Sequence, residues 1–177
     1  MDKDREVAFY LDEVRPYLVR PNPGQKWIEE ARIWKIPSSW KTRGKVVIFG
    51  ALKTNVGKIY HHIDKSKDCK VMVRFIQRLT YLYKHMATIY LIWDNAKAHE
   101  AKHLMNWIKR RNTKGKVTLK VLPSPTYSPS LNPIEPVFGD LYRKVIAGSN
   151  FRWPSNMTKY IHSYFQYRNY QKYGSDN

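Results

Sequence analysis

The order in which strand-like and helix-like segments follow one another constrains the fold of this chain most. Five short segments rich in β-branched and aromatic residues are predicted as strands, over residues 7–11, 45–52, 58–63, 88–93 and 117–122. The turn residues Asn55-Val56-Gly57 lie between the second and third of these and predict an antiparallel hairpin. Several prolines punctuate residues 16–40, where we expect an irregular connection with room for one short strand.

Amphipathic segments alternate with the later strands. Helices are predicted over residues 66–85, 99–111, 133–147 and about 154–172. An antiparallel group of strands followed by this alternation indicates an α/β domain, with one mixed five-stranded sheet flanked by helices. The stripe predicted for the core side of the last helix holds Met157, Tyr160, Ile161, Tyr164, Phe165 and Arg168. We interpret the aromatic residues of that helix as core rather than as platforms for stacking bases.

Length and composition exclude several classes of protein. A chain of 177 residues with 42% hydrophobic residues suits one domain with its own core. No apolar run reaches about 18 residues, so no membrane span is predicted. The charged start of the chain lacks the apolar region of a secretory signal. The single cysteine, Cys69, excludes an internal disulfide framework and a cysteine-based zinc finger.

The charge of the chain points to a polyanionic partner. Lys and Arg number 32 against 14 Asp and Glu, which gives a formal net charge of +18. The excess is spread along the chain rather than confined to a tail, so the whole domain is basic. Nucleic acid is the first candidate, because its phosphates occur at high linear density. A highly charged solvated surface, or a binding protein without chemistry, is the alternative.

Three acidic residues stand where an α/β fold places functional groups. Asp12 ends the first predicted strand, Asp94 ends the fourth, and Glu135 opens the helix that follows a proline-rich loop. Carboxylate oxygens are preferred ligands of Mg²⁺ and Mn²⁺, and three that converge can hold two such ions. Each residue also has a structural alternative, since Asp12 and Asp94 suit turns or caps. Asn132-Pro133-Ile134-Glu135 likewise fits a capping box.

Three motifs resemble those of a known family. The first is Leu11-Asp12-Glu13, and the second is Trp93-Asp94-Asn95-Ala96-Lys97-Ala98-His99. The third is Tyr127-Ser128-Pro129-Ser130-Leu131-Asn132-Pro133-Ile134-Glu135, which is the most specific. In this order they resemble the motifs of DDE transposases of the mariner-like superfamily, in its bacterial and archaeal insertion-sequence branch. The resemblance spans residues 7 to about 150.

The resemblance implies a ribonuclease-H-like fold and a catalytic triad of Asp12, Asp94 and Glu135. These residues would hold Mg²⁺, with Mn²⁺ as a substitute, as a pair of ions. The implied reaction is cleavage of phosphodiester bonds at transposon ends, followed by joining of the 3′-hydroxyl to target DNA. The implied partners are DNA and a second copy of the chain, without a membrane. The implied location is the cytoplasm, at the nucleoid, or the nucleus of a eukaryote.

Further residues of the motifs are candidates for supporting the site or contacting DNA. They are Glu13, Asn95, Lys97, His99, Tyr127 and Asn132. His99 falls about one turn into a predicted helix, where a surface or capping role is an equal alternative. The proline-rich loop is interpreted mainly as a rigid spacer.

Two departures from the family pattern concern length and domain content. Asp94 and Glu135 are separated by 40 residues, somewhat more than is usual for this branch, and the predicted surface turn over residues 111–116 can absorb the excess. We expect a single catalytic domain over residues 1–177, with a core over about 7–150. The family's N-terminal helix-turn-helix domains are expected to be absent.

Two other functions stay open at this stage. One is a stand-alone nuclease of the same fold, such as a ribonuclease H or a junction resolvase. The other is a domesticated DNA-binding protein that no longer cleaves.

Overall fold

A computed structural model of the chain describes residues 5–14, 16–22, 41–93, 98–123 and 132–174. Its strands are β1 Glu6–Glu13, β2 Tyr17–Leu18, β3 Lys45–Lys53, β4 Ile59–Asp64, β5 Thr88–Trp93 and β6 Thr118–Pro123. Its helices are α1 Cys69–Leu82, α2 Ala98–Asn112, α3 Glu135–Leu141, a π-helical segment π1 Tyr142–Ile146, and α4 Pro154–Tyr173. The predicted strands and helices are found with shifts at their ends, apart from two helical features corrected below.

The sheet is mixed, with the strand order β4-β3-β1-β5-β6. The hairpin β3–β4 and the pair β1–β3 are antiparallel, whereas β1–β5 and β5–β6 are parallel. The two-residue strand β2 also pairs with β3 and continues the line of β1 after a short break. The predicted five-stranded sheet therefore holds a sixth, very short strand, which lies in the stretch where one was expected.

The predicted hairpin turn is confirmed at Gly57. Its φ of +69° lies in the left-handed region, which glycine adopts without steric cost. The Gly57 amide donates to the Lys53 carbonyl at 2.7 Å, and the Lys53 amide donates to the Lys58 carbonyl at 2.9 Å. These bonds close the turn and set the register of β4 against β3.

Helices cover both faces of the sheet, and each face has its own apolar core. We call the side covered by α1 and α2 the first face; its core includes Phe9, Phe49 and Phe75, all nearly inaccessible to solvent. We call the side covered by α3, π1 and α4 the second face; its core includes Ile48 and Phe165. Because side chains alternate along a strand, the apolar residues of β1 and β3 divide between the two cores. No helix in the described ranges is both long enough and apolar enough to cross a membrane.

Two helical predictions need correction. The helix predicted over residues 133–147 is a short α-helix that widens into π1, and it ends at Gly148, whose φ is +65°. In α4, Met157, Ile161 and Phe165 are buried as predicted, but Tyr160 is 59% exposed. Tyr160 lies about 40° around the helix from Tyr164, which is far enough to leave the contact with the sheet.

Candidate active site

Asp12 lies near the carboxyl end of β1, at the middle of the sheet. Its partner across the antiparallel pair is Gly50 of β3, and residues directly opposite in such a pair share a face. The half-buried Asp12 side chain is therefore on the second face, and its Oδ1 accepts a hydrogen bond from the Glu13 amide at 2.7 Å. This places a carboxylate at the end of a central strand, on the side covered by α3.

Gly50 allows α3 to approach this part of the sheet. A β-carbon at position 50 would lie 2.6 Å from Phe138 Cζ and 2.9 Å from Ile134 Cδ1, which is closer than side chains tolerate. Both residues are buried in the core of the second face. The absence of a side chain at Gly50 thus lets the beginning of α3 pack directly against the strand that pairs with Asp12.

Glu135 is the first residue of α3, and its side chain is exposed. The buried Asn132 shapes the turn before it: its carbonyl accepts from the Glu135 amide at 3.1 Å, and its Oδ1 accepts from the Ile134 amide at 3.4 Å. The predicted capping box is therefore not formed: no described side chain caps the first turn of α3, and the Asn132 side chain contacts the Ile134 amide instead. Among the described residues the Glu135 carboxylate has no hydrogen-bond partner.

The far end of α3 is anchored to α4. Tyr164 Oη donates to Asp140 Oδ2 at 2.7 Å, and Lys144 Nζ lies 3.0 Å from the same oxygen. Burial raises the pKa of Asp140, but the hydrogen bonds from Tyr164 and Lys144 outweigh it and leave the pKa below its usual value. These bonds hold α3 in place while the Glu135 side chain in its first turn stays exposed.

The parallel strand β5 ends beside Asp12. The register pairs Leu11 with Trp93, and both side chains pack in the core of the first face. Asp94, the next residue in the sequence, lies outside the described residues, as do Asn95, Lys97 and Tyr127. His99 lies in the first turn of α2.

Glu13 is directed away from Asp12. Neighbouring residues of a strand point to opposite faces, and Glu13 lies 2.5 Å (Oε1) from Lys67 Nζ beside the N-terminus of α1. Only 13% of the Glu13 side chain is exposed. Its carboxylate is thus engaged on the first face of the sheet, and a supporting role for Glu13 stays a prediction.

The described carboxylates suit a hard divalent cation. Asp12 and Glu135 supply oxygen ligands of the kind that Mg²⁺ and Mn²⁺ prefer. In the described ranges, no group of three or more His, Cys, Asp or Glu could hold a metal ion. The predicted set has two members within those ranges, Asp12 and Glu135, and both carry carboxylate oxygens.

Gly50 is the site residue that the motif analysis missed. A lone glycine within the apolar run Val47-Ile48-Phe49-Gly50-Ala51-Leu52 is a recognised sign that backbone or another element approaches closely. That signal could have placed a helix over this strand, although it could not have said which helix.

The chain is similar to known proteins over most of its length. A family model described as "DDE superfamily endonuclease" matches residues 7–157. A curated relative from Shigella sonnei, the "Insertion element IS630 uncharacterized 39 kDa protein", is 29% identical over 135 residues. That alignment covers 76% of this chain and 37% of the relative, so the chain spans little more than a third of that protein's length.

Solved structures share the fold. The Mos1 transposase, in a paired-end complex with the left transposon end, matches with a TM-score of 0.59 and 16% identity, over 97% of this chain and 52% of that chain. The catalytic core domain of BIV integrase matches with a TM-score of 0.50 and 13% identity, over 96% of this chain and 85% of that chain. The fold of this chain is ribonuclease-H-like, as the sequence motifs implied.

Proposed function

Because the chain belongs to the DDE superfamily of endonucleases, we propose that it is the catalytic domain of a DNA transposase. In this proposal it cleaves phosphodiester bonds at transposon ends and joins the freed 3′-hydroxyl to target DNA. One observation carries the proposal: α3 packs on Gly50, which brings the helix that Glu135 begins to the face of the sheet where Asp12 lies.

The proposed catalytic residues are Asp12, Asp94 and Glu135. Transposases and integrases of the DDE type generally use divalent metal ions, and we propose that these three carboxylates hold Mg²⁺, as two ions. When bound, such ions activate a water or a 3′-hydroxyl and stabilise the leaving oxygen. Asn132 serves as a positioning residue, because its two hydrogen bonds fix the turn from which Glu135 projects.

DNA is the proposed substrate and partner. The net charge of +18 supports binding to a phosphate backbone, with steep dependence on salt and little dependence on sequence. A relative of the same fold, the Mos1 transposase, forms a paired-end complex with a transposon end. We propose that this chain likewise acts as a homodimer that brings two DNA ends together.

Metal binding without DNA tests whether the carboxylates converge. The chain is titrated with Mn²⁺ at low millimolar concentration, beside Asp12→Asn, Asp94→Asn and Glu135→Gln. Each variant removes one ligand charge, so we expect each to lose binding. Glu6→Gln is the matched control, since it removes a carboxylate charge at the opposite end of β1. Native-like binding by Asp94→Asn, or an equal loss in Glu6→Gln, would contradict the assignment.

A cleavage assay tests the reaction. We expect the native chain to nick DNA only with Mg²⁺ or Mn²⁺. Asp94→Asn should not nick DNA, because it loses a proposed metal ligand. It should bind DNA at least as tightly, because the change removes one negative charge. Nicking by Asp94→Asn at the native rate would refute the triad. A preference for an RNA–DNA hybrid or a four-way junction would instead favour a stand-alone nuclease of the same fold.

A further inference from the structure

Four large aromatic side chains at the beginning of α4 and along it face solvent. The exposed fractions are 54% for Trp153, 59% for Tyr160, 63% for Tyr167 and 61% for Tyr170. The three tyrosines fall within an arc of about 80° on the helix, and Trp153 precedes Tyr160 by about two turns. We call these four residues the aromatic face. Their exposure corrects the sequence-based view that the aromatic residues of this helix belong mainly to the core.

A groove opens at the N-terminal end of the aromatic face. It has a volume of about 690 Å³, and its walls include Lys144, Phe151, Arg152, Trp153 and Tyr160. The rings of Phe151 and Tyr160 are 5.4 Å apart, and the Arg152 guanidinium lies 5.7 Å from the Trp153 ring. The groove therefore combines aromatic rings with cationic groups.

Hydrogen bonds from distant segments hold the floor of this groove. Arg43 Nη1 donates to the Phe151 carbonyl at 3.1 Å. The Asn22 amide donates to the Ser149 carbonyl at 2.8 Å, and Asn22 Nδ2 donates to Ser149 Oγ at 3.3 Å. Ser149 is itself buried. A floor held in this way loses little conformational entropy when a ligand binds.

The charge around the groove favours an anion. Residues 141–175 contain six basic residues and no Asp or Glu. Lys144 is paired with Asp140 at 3.0 Å, but among the described residues Arg152 forms no ion pair with a carboxylate. The Arg152 guanidinium is thus available to a phosphate beside the ring of Trp153.

We propose that the aromatic face binds a DNA strand whose bases are unpaired, with bases stacked on Trp153 and Tyr160 and phosphates held by Arg152. This inference deepens the proposed function and rests on it in one respect, namely that DNA is the substrate. Stacking on protein rings requires bases that are not enclosed in a duplex. A second copy of this chain is a poor occupant, since it would bring the same positive charges to the groove.

The length of the aromatic face suits a short single-stranded segment. Trp153 and Tyr170 are separated by about 25 Å along the helix, which matches roughly seven nucleotides at 3.4 Å each. The groove adjoins Lys144 of π1, about 14 Å along the helical axis from Glu135. A strand leaving the candidate active site can therefore reach the groove within a few nucleotides.

Binding of a fluorescent 20-nucleotide oligo-dT to the full chain in EDTA tests the proposal. We expect Tyr160→Leu and Trp153→Leu each to weaken binding by about 5- to 150-fold, the range found for loss of one stacked base. Tyr160→Phe should bind with native affinity, because it keeps the aromatic ring. The control is Tyr81→Leu, which removes a 70% exposed ring beside Lys84 on α1 and should change the affinity less than twofold.

Salt dependence and oligomeric state complete the test. Arg152→Gln should lower the slope of log affinity against log salt by about 0.7, the value for one phosphate contact on a single strand. Equal effects of Tyr160→Leu and Tyr81→Leu, or tighter binding to the matching duplex, would overturn the proposal. So would a Tyr160→Leu variant that abolishes self-association in sedimentation while binding oligo-dT normally.

Measuring oligo-dT binding in EDTA also distinguishes a failure of this inference from a failure of the proposed function. Oligo-dT binding is measured without metal, and it is repeated in Asp12→Asn, which cannot complete the metal site. If Asp12→Asn binds oligo-dT normally and the native chain does not cleave, the proposed reaction fails while the groove stands. If cleavage occurs but Tyr160→Leu binds normally, the groove fails alone.

Discussion

The two faces of the central sheet are built from the same strands but differ in what they leave exposed. On the first face, α1 and α2 close over an ordinary apolar core, and the Glu13 carboxylate is neutralised by Lys67. On the second face, the Glu135 side chain at the beginning of α3 is exposed, and α4 carries a row of aromatic rings that face solvent. The helices over the first face therefore serve mainly stability, whereas those over the second face also carry the exposed groups on which the proposals rest.

Equivalent truncations on the two faces test this division most strongly. Phe75 on the first face and Phe165 on the second are both buried, so replacing either by Ala should lower the free energy of unfolding by about 3–5 kcal/mol in urea. Only Phe165→Ala should also weaken oligo-dT binding per folded molecule, because it loosens α4. Equal weakening by Phe75→Ala would show that the two faces are not separable.

The substitution Gly50→Ala tests whether the packing of α3 on β3 positions the candidate metal ligands. The added methyl of Gly50→Ala must displace Phe138 and Ile134, at a cost of about 1–3 kcal/mol in unfolding free energy, and should weaken Mn²⁺ binding because α3 moves. Ala51→Gly, whose lost methyl lies on the first face, should cost about 1 kcal/mol and leave Mn²⁺ binding unchanged. If Gly50→Ala binds Mn²⁺ as the native chain does, the contact does not position Glu135.

The second face also holds a pair of histidines that makes stability depend on pH. His61 Nε2 and His162 Nδ1 are 2.6 Å apart, and burial, with His162 and Arg78 nearby, lowers the pKa of His61 to about 3. The unfolded chain takes up a proton near pH 6.5, so between about pH 6.5 and 3 it binds more protons than the folded chain. The stability present above pH 6.5 is therefore lost as the pH falls.

Thermal unfolding at pH 7.5 and 5.0 measures this effect. For His61 alone the loss should reach at most about 2 kcal/mol at pH 5.0. His61→Gln should flatten the dependence of Tm on pH, whereas His85→Gln, at an exposed position, should keep it. The same slope in all three chains would show that the histidine pair does not govern acid stability.

The smallest expected effect concerns the ion pair of the first face. Lys67→Gln removes the partner of Glu13 and should cost less than about 1 kcal/mol, because the lysine is partly exposed. Mn²⁺ binding should not change, since Glu13 points away from Asp12. A loss of Mn²⁺ binding would couple this ion pair to the candidate active site.

Much of the architecture could be predicted because local patterns carry it. Alternating and β-branched runs identified the strands, and the turn at Gly57 set the hairpin, since both depend on backbone preferences within a few residues. The motifs around Asp12 and Glu135 likewise named the candidate site before any contact was known. The roles of these residues stay predictions, and Asp94 lies outside the described residues.

The remaining features depend on which elements meet. Periodicity placed Tyr160 with the buried residues of α4, but only the sheet beneath the helix decides how wide a stripe it covers. The direction of Glu13 toward Lys67 likewise depends on where the segment before α1 lies. No local pattern indicated the widening of the helix into π1.

The order of strands and helices, the basic charge and the acidic motifs can thus be read from the residues alone, because they depend on residue type and short-range spacing. Contacts between elements are needed to see that Gly50 admits α3, that Asp12 and Glu13 face opposite cores, and that the four rings of the aromatic face remain in solvent. Close packing is a property of pairs of elements, so no single segment of the chain encodes it.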